Sequence, residues 1–241
     1  MNLCIDQGNS STKIGVFKGD EMIFSSQIPQ PDFKGISDLF QQYDIRLTIL
    51  SSVTKVTTEL EDLLQMKSER FILLSHETPL PIINRYKTPE TLGKDRLAAV
   101  AGAVSLMPGN DLLVIDAGTA ITYDFVDALG VYHGGNIAPG INLRLKSLYE
   151  FTQNLPLVEI EGEIDFMGND TRSAIQSGVL YGIVFEIDGY IERLMLKYPK
   201  LSVFLTGGSS FYFENKLKNR IFANENLVLI GLNRILQYNV Q

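Results

Sequence analysis

Three short apolar segments separated by polar turns open the chain. Residues 3–5, 14–17 and 22–28 have the short apolar or alternating pattern that predicts strands. The connecting segments 8–10 and 18–20 contain Gly, Asn, Ser and Asp, which are residue types that favour tight turns. Three consecutive strands joined by such turns predict a meander.

Helices and further strands follow this meander as far as a break at Pro108-Gly109. The apolar pattern predicts, in order, helix 36–43, strand 47–50, helix 54–66, strand 71–74, a proline-containing loop 78–93 and an Ala-rich helix 94–106. Strands that alternate with helices in this way predict an α/β fold.

The order of elements then begins again. The second half predicts, in order, strands 112–115, 120–127 and 131–137, helices 141–151 and 171–197, strands 203–205 and 227–229, and a final helix from residue 230. Both first strands lead into an Asp, any residue and a Gly, at Asp6 with Gly8 and at Asp116 with Gly118. This repeat predicts two similar domains, 1–109 and 110–241. Each is expected to be a mixed sheet that opens with a three-strand meander and is flanked by helices.

Composition narrows the classes of partner. The 241 residues are 45% hydrophobic and 20% charged, which is enough apolar material for a core, and the net charge is −7. An acidic surface repels phosphate backbones, so nucleic acid is not an expected partner. The single cysteine, Cys4, excludes an intrachain disulfide and a cysteine cluster for zinc. The N-terminus has no leader pattern and no apolar stretch approaches the ~20 residues that span a bilayer, so a soluble cytoplasmic protein without membrane contact is expected.

The first Asp-x-Gly segment has the composition of a phosphate-binding turn. Gly8 permits close approach of a ligand, and consecutive N–H groups in such a turn bind anions. Lys13 adds a positive charge, whereas Asp6 would need a cation or water between itself and a phosphate. The candidate residues are Asp6, Gln7, Gly8, Asn9, Ser10, Ser11, Thr12 and Lys13. Taken alone, a polar hairpin turn without a ligand explains the segment equally well.

Two further segments in the second half fit the same chemistry. Thr119 offers its N–H and hydroxyl to a phosphate, and Asp116 can bind a cation. Gly207-Gly208, at the end of the predicted strand 203–205, leaves room for a flat ligand such as adenine. Each segment alone is also compatible with an ordinary turn. Two Asp-x-Gly turns, each after an apolar strand and each opening a meander, favour a phosphate site.

The start of the predicted helix 94–106 carries the candidate catalytic group. Helix N-termini favour anions, so Asp95 would be stabilised there as a carboxylate base, and Arg96 could bind a substrate carboxylate. The alternative is structural: Asp95 caps the helix and Arg96 forms a surface ion pair.

As an ordered set, these motifs resemble the actin/hexokinase/Hsp70 superfamily of phosphotransferases, and within it the type III pantothenate kinases. The resemblance rests on residues 6–13, 92–96, 116–122, 134–140, 168–171 and 206–208, and so extends over nearly the whole chain. It implies two ribonuclease H-like (actin-like ATPase) domains. It also implies transfer of the γ-phosphate of ATP to the hydroxyl of pantothenate, the first step of coenzyme A biosynthesis.

The same resemblance implies roles for individual residues. Asp95 would be the general base, and residues 6–13 and Thr119 would bind ATP, which arrives with Mg²⁺. Asp116 would bind a monovalent cation, K⁺ or NH₄⁺. The residues implied for pantothenate binding are Tyr86, Gly93, Lys94, Asp95, Arg96 and Thr171.

The resemblance also implies a homodimer with pantothenate bound near the interface. Ala174, Gly178 and Gly182 form a stripe of small residues at four-residue spacing on the predicted helix 171–197. This stripe favours close helix packing in the core of the chain, with a subunit interface as the alternative.

Other functions remain open from the residues alone. No Gly-x-Gly-x-x-Gly follows a strand, and Gly93-Lys94 is followed by Asp, so neither a Rossmann site nor a Walker A loop is present. A kinase of the same superfamily acting on a sugar or on acetate would share the two Asp turns but need a different acceptor loop. A non-catalytic accessory factor for transcription would not require Asp95 or Lys13.

Overall fold

The chain forms two compact units in the computed structural model, which describes residues 1–9, 11–29 and 32–240. The first unit comprises Met1–Gly109, Val126–Gly134 and the C-terminal segment from Asn226, and the second comprises Asn110–Phe125 and Gly135–Glu225. The chain enters the second unit at the position of the predicted domain boundary. Two later segments that the prediction placed in the second domain lie in the first unit.

The elements alternate between strands and helices in the order that the sequence indicates. The strands are β1 (Asn2–Gln7), β2 (Thr12–Lys18), β3 (Glu21–Ile28), β4 (Leu47–Ser52), β5 (Arg70–Leu73), β6 (Ile83–Asn84), β7 (Leu112–Ala117), β8 (Ala120–Val126), β9 (Val131–Pro139), β10 (Ser202–Thr206) and β11 (Phe222–Ala223). The α-helices are α1 (Phe33–Gln42), α2 (Thr58–Lys67), α3 (Lys94–Leu106), α4 (Ile141–Glu150), α5 (Thr171–Met195) and α6 (Leu227–Tyr238). Short 3₁₀ helices lie at Pro89–Thr91 and Ser210–Tyr212.

The first unit is built on a five-stranded mixed sheet with the order β3-β2-β1-β4-β5. β1 and β3 pair antiparallel with β2, whereas β4 pairs parallel with both β1 and β5. Leu3 and Ile5 of β1 are fully buried and pack with α1 and α2 residues such as Ile36 and Leu60. The predicted meander is therefore confirmed, and it continues into parallel strands.

The second sheet is also mixed, with the order β11-β10-β7-β8-β9-β6. β10 pairs parallel with β7 and β11. β6 pairs parallel with β9 at Val131 and Tyr132, which belong, like β6, to the first unit. In the second unit, buried residues of β7, such as Ile115, join Ile183 and Ile187 of α5 in the core. Two mixed sheets flanked by helices confirm the predicted fold class.

Three predicted elements differ from the structure. Residues 227–229 are the first turn of α6 and not a strand, because the apolar run continues as buried positions of a helix through Leu232 and Leu236. A short apolar run cannot distinguish these two structures. The predicted loop 78–93 contains β6 and a 3₁₀ helix. α2 begins at Thr58 because the Thr57 side chain accepts a hydrogen bond from the Leu60 N–H at 3.4 Å and caps the helix.

Helices α3 and α6 approach each other so closely that their backbones touch. A Cβ atom added to Gly231 would lie 1.7 Å from the carbonyl oxygen of Ala98, and one added to Gly102 would lie 2.4 Å from that of Leu227. No side chain fits at either position. The position of α3 in the first unit therefore depends on glycine at this contact.

We expect Gly231→Ala to destabilise the protein by about 3 kcal/mol, because the added methyl group must push two packed backbones apart. Denaturant unfolding followed by circular dichroism measures the change. Gly189→Ala is the matched control: it is also a helical glycine, but its Cβ would meet nothing within 4 Å. Relief of the helix penalty of glycine should make that variant about 0.5–1 kcal/mol more stable. Equal effects of the two changes would contradict the contact.

Candidate active site

A turn follows β1 at the predicted phosphate-binding segment. The Gly8 N–H donates to the Ser11 carbonyl at 2.9 Å and closes the turn. Ser10, predicted to bind phosphate, lies outside the described residues. Strand register places Asp6 opposite Lys13 on β2 and opposite Ser51 on β4. The structure thus brings the predicted Asp6 and Lys13 together at one end of the sheet.

The Asp6 carboxylate is electrostatically strained. Burial, followed by the negative charge of Asp95, raises its pKa from 3.8 to about 6, whereas the Ser51 hydroxyl and the Lys13 ammonium act to lower it. Asp6 Oδ1 is inaccessible to water and has no hydrogen-bond partner among the described residues. Asp95 must therefore lie close enough to Asp6 for the two carboxylates to repel, which links the predicted base to the predicted phosphate turn.

The predicted catalytic segment occupies the first turn of α3. Gly93 is the N-cap residue, and Asp95 Oδ1 accepts the Arg96 backbone N–H at 2.9 Å. Only 6% of the Arg96 surface is exposed, so the alternative in which Arg96 forms a surface ion pair is wrong. The Lys94 ammonium donates to the Ser52 carbonyl at 3.4 Å and so ties the start of α3 to the end of β4.

Tyr86 and Arg96, which were both predicted to bind pantothenate, lie together. The guanidinium carbon of Arg96 is 5.8 Å from the centroid of the Tyr86 ring. The Tyr86 N–H donates to Asn84 Oδ1 at 2.9 Å, and its ring stacks against Tyr132 at a centroid distance of 6.2 Å. Sequence reasoning missed Tyr132, because its position in a predicted strand gives no sign that a loop residue stacks on it. A cation beside two stacked rings forms a surface suited to a small carboxylate with an apolar body.

In the second unit, the Asp116 turn is enclosed by backbone. The Gly118 N–H donates to the Ala120 carbonyl, and the Gly140 N–H donates to the Thr119 carbonyl, each at 3.0 Å. Thr119 is exposed, as a ligand-binding residue must be. Gly207 has a φ of +95°, and a Cβ there would lie 2.4 Å from Asp116 Oδ1. Glycine is therefore required where the Gly207-Gly208 segment meets Asp116.

Thr171 is the first residue of α5 and is exposed. The helix is capped by Asp170, whose Oδ1 accepts the N–H groups of Arg172 at 2.8 Å and Ser173 at 3.1 Å. The Thr171 side chain is thus not consumed by capping. It lines a pocket of about 600 Å³ together with Arg144.

A partly buried hydrogen-bond network fixes the wall of this pocket. The Tyr123 hydroxyl and the Arg144 guanidinium donate to the two oxygens of Glu186, each at 2.7 Å. Arg144 also donates to the Pro139 carbonyl at 2.8 Å. Burial, followed by the hydrogen bond to Glu186, raises the pKa of Tyr123, so the phenol stays a donor. The network ties α4 to α5 and holds the Arg144 stem beside Thr171.

The two glycines of the small-residue stripe on α5 are open. Cβ atoms added to Gly178 and Gly182 would meet none of the described residues within 4 Å, so the prediction of core packing is wrong at these two positions. The backbone of Ala174, by contrast, lies against Gly168. The stripe lines a groove of about 430 Å³ with Phe166, Met167 and Phe185, whose side chains are all exposed.

Residues 1–9, 11–29 and 32–240 show neither a metal-binding cluster nor a membrane-spanning helix. This part of the chain contains no group of three or more His, Cys, Asp or Glu side chains placed to bind a metal ion. None of its helices combines the length and the apolar character needed to cross a bilayer.

Comparison with known proteins gives consistent results over the full length. The sequence model of the family described as type III pantothenate kinase matches residues 2–193. The type III pantothenate kinase of Phocaeicola vulgatus is 49% identical over 239 residues, which cover 99% of each chain. That of Cytophaga hutchinsonii is 42% identical over 242 residues, which cover 100% of each chain.

Solved structures with low sequence identity share the fold. A protein of Campylobacter jejuni assigned to the Baf family of transcriptional activators has a TM-score of 0.65 at 23% identity, with 98% of each chain covered. A hexokinase of the ROK type from Thermus thermophilus has a TM-score of 0.53 at 13% identity, with 99% of each chain covered. These likenesses support the two-domain actin-like fold. The family match and the full-length identities show more: this chain belongs to the type III pantothenate kinase family.

Proposed function

We propose that this protein transfers the γ-phosphate of ATP to the hydroxyl of pantothenate, giving 4′-phosphopantothenate in the first step of coenzyme A biosynthesis. The observation that carries the proposal is the 49% identity, over 99% of both chains, to a type III pantothenate kinase. The grouping of Asp6, Asp95, Arg96 and Tyr86 in the first unit supports it. Since ATP is a cytoplasmic substrate, the cytoplasm is the proposed location.

Asp95 is the proposed general base. Its carboxylate lies in the first turn of α3, is partly exposed, and is held by the Arg96 N–H. Phosphoryl transfer passes through a loose transition state, so the acceptor hydroxyl needs orientation more than strong basicity. Asp95 would orient the pantothenate hydroxyl and accept its proton as the bond to phosphorus forms.

Pantothenate binding is proposed for the surface formed by Tyr86 and Arg96, with Gly93 and Lys94 at its edge. Arg96 is buried and would form a charge-assisted hydrogen bond with the carboxylate of pantothenate. Tyr86 would pack against the apolar part of the substrate. Lys94 is proposed as a weaker contact, because its ammonium already donates to Ser52. Thr171 is proposed as a further pantothenate contact.

ATP binding is proposed for the turn 6–13 and for Thr119. Backbone N–H groups, the hydroxyls of Ser11 and Thr12 and the Lys13 charge would bind phosphate oxygens. Mg²⁺ is proposed to arrive on the phosphates and to meet Asp6 through its waters, since Mg²⁺ in such sites keeps several waters.

Asp116 is proposed to bind the monovalent cation, K⁺ or NH₄⁺. Its carboxylate sits where Gly207 leaves no room for a side chain, beside a turn with peptide carbonyls. Oxygen donors of this kind suit a hard cation. When bound, the cation would neutralise negative charge near the phosphates.

A homodimer formed through α5 is also proposed. The stripe at Gly178 and Gly182 is open, so the helix of a second copy can approach closely, as helices do at small residues. Exposed Phe166, Met167 and Phe185 would supply apolar contact. The Thr171 pocket lies along the same helix and shares Gly178, which supports pantothenate binding near the interface.

Asp95→Asn should lower pantothenate-dependent release of ADP at least about a hundredfold, the loss expected when a general base is removed. Turnover is measured with and without K⁺. Glu90→Gln changes an exposed carboxylate in the 3₁₀ helix before α3; it is the control and should leave turnover unchanged. Turnover with sugars or acetate but not pantothenate would assign another acceptor. ATP binding without turnover on any acceptor would favour the regulatory alternative.

Asp6→Asn should make the nucleotide-free protein more stable than the wild type, by a difference that grows as the pH rises. The raised pKa means that the folded chain holds this proton after the unfolded chain has released it, so wild-type stability falls between about pH 4 and pH 6. The loss of stability is complete above the pKa of Asp6 in the folded chain and is about 3 kcal/mol at most. The Asn side chain does not ionise, so the variant avoids this loss. Urea unfolding of both proteins between about pH 4 and pH 8 measures the difference. Asp38→Asn, at an exposed position of α1, is the control for the chemical change itself.

Phe185→Glu should convert the proposed dimer to a monomer, because it places a charge in the apolar groove. Light scattering after size exclusion should give twice the 26.9 kDa chain mass for the wild type and the single mass for the variant. Leu129→Glu is the control. Leu129 is apolar, 84% exposed and outside the groove, so this change should leave the dimer intact. A monomeric wild type would contradict the proposed interface.

A further inference from the structure

Ser51, near the end of β4, carries a buried hydroxyl that lies close enough to Asp6 to lower the pKa of that carboxyl but does not reach hydrogen-bond geometry with it. The residue is 0% exposed, and its Oγ has no hydrogen-bond partner among residues 1–9, 11–29 and 32–240. Most buried polar atoms are paired, because leaving one unpaired is costly. An orphan hydroxyl at a strand end beside a site therefore requires an explanation.

The nearest explanation is Asp6. Parallel pairing places Asp6 of β1 directly opposite Ser51, and residues opposite each other share one face of a sheet. Asp6 Oδ1 is the second orphan atom on this face. A hydroxyl donor and a carboxylate acceptor that both lack partners satisfy each other after a small rotation of either side chain.

The internal repeat supports the same pairing. In the second unit, β10 pairs parallel with β7 and places Thr206 opposite Asp116. Thr206 is buried, with 1% of its surface exposed. Both units therefore set a buried hydroxyl residue beside the aspartate of their Asp-x-Gly turn, although the two strands share no motif that sequence reasoning identified.

The neighbouring Ser52 differs from Ser51 in the hydrogen bonding of its hydroxyl. Ser52 lies next along the chain and points to the opposite face, where its Oγ donates to the Thr54 carbonyl at 2.8 Å. Ser52 thus stabilises the loop after β4, whereas the Ser51 hydroxyl is on the face of Asp6.

We propose that Ser51 is a positioning residue for ATP: its hydroxyl donates to the Asp6 carboxylate and orients it toward the phosphate-binding turn. The proposal deepens the function proposed above and rests on nucleotide binding at residues 6–13. Ser51 touches no substrate. It acts through Asp6, which faces Lys13 on β2 and the charge of Asp95 on α3.

Binding of a non-hydrolysable ATP analogue with Mg²⁺, followed by calorimetry, tests the proposal without depending on the acceptor. Ser51→Ala should weaken binding about tenfold, the size expected for a hydrogen bond to a charged group. Ser51→Thr should restore binding, as Thr206 occupies the equivalent place in the repeat. Ser52→Ala is the control. It should lower the free energy of unfolding without weakening nucleotide binding.

A double-mutant cycle distinguishes positioning from packing. In the Asp6→Asn background, Ser51→Ala should change affinity by less than about twofold, because the acceptor of its hydrogen bond is already altered. Equal losses in both backgrounds, or unchanged binding in Ser51→Ala, would overturn the proposal. In turnover assays, Ser51→Ala should raise KM for ATP and leave KM for pantothenate unchanged. A wild type that binds nucleotide but does not phosphorylate pantothenate would refute only the proposed acceptor.

Discussion

Parallel pairing of the first strand of each unit with a later strand is the constraint on which the site depends. β1 pairs with β4, and β7 pairs with β10, across long stretches of sequence. Register is fixed because a slip of one residue would turn the buried face of β1, with Leu3 and Ile5, toward the wrong side of the sheet. The same register sets Asp6 beside Ser51. Apolar packing thus determines which polar groups meet at the strand ends.

The site also requires that α3 is held in a fixed position near the ends of β1 and β4. Backbone contact at Gly102 and Gly231 fixes the helix against α6, and the Lys94 ammonium fixes its start to the end of β4. Together these contacts explain why the C-terminal helix belongs to the first unit, although the whole of the second unit precedes it in the sequence. The distance between Asp95 and Asp6 consequently depends on the Lys94 contact beside Asp95 and on the α3–α6 contact at Gly102 and Gly231.

The sequence was informative where a local pattern has one structural meaning. Two strands that each end in Asp-x-Gly predicted the duplicated meander, and the position of Gly93-Lys94-Asp95-Arg96 before an Ala-rich run predicted the first turn of α3. The fold class and the family followed from these motifs.

Where tertiary packing decides, the sequence was not enough. Residues 227–229 fit a strand or a helix, and only burial along the whole of α6 distinguishes them. The stripe at Gly178 and Gly182 fits core packing or an open helix face, and only the structure shows that none of the described residues lies within 4 Å of a Cβ at either position. Ser51 could not be found at all, since a serine in an apolar strand is informative only when its register with Asp6 is known.

The repulsion between Asp6 and Asp95 lowers the stability of the ligand-free protein, and the same two carboxylates attract a cation. Burial and the neighbouring charge raise the pKa of Asp6 to about 6, so near neutral pH the carboxylate is mostly ionised and the free protein bears the cost. The net charge of −7 adds to this field, and a nucleotide without a metal would increase the repulsion further. A cation that arrives with the phosphates changes the sign of the effect, because the carboxylates then attract it. The arrangement is therefore complementary to ATP complexed with a cation, and groups that serve a ligand in this way commonly reduce the stability of the empty fold.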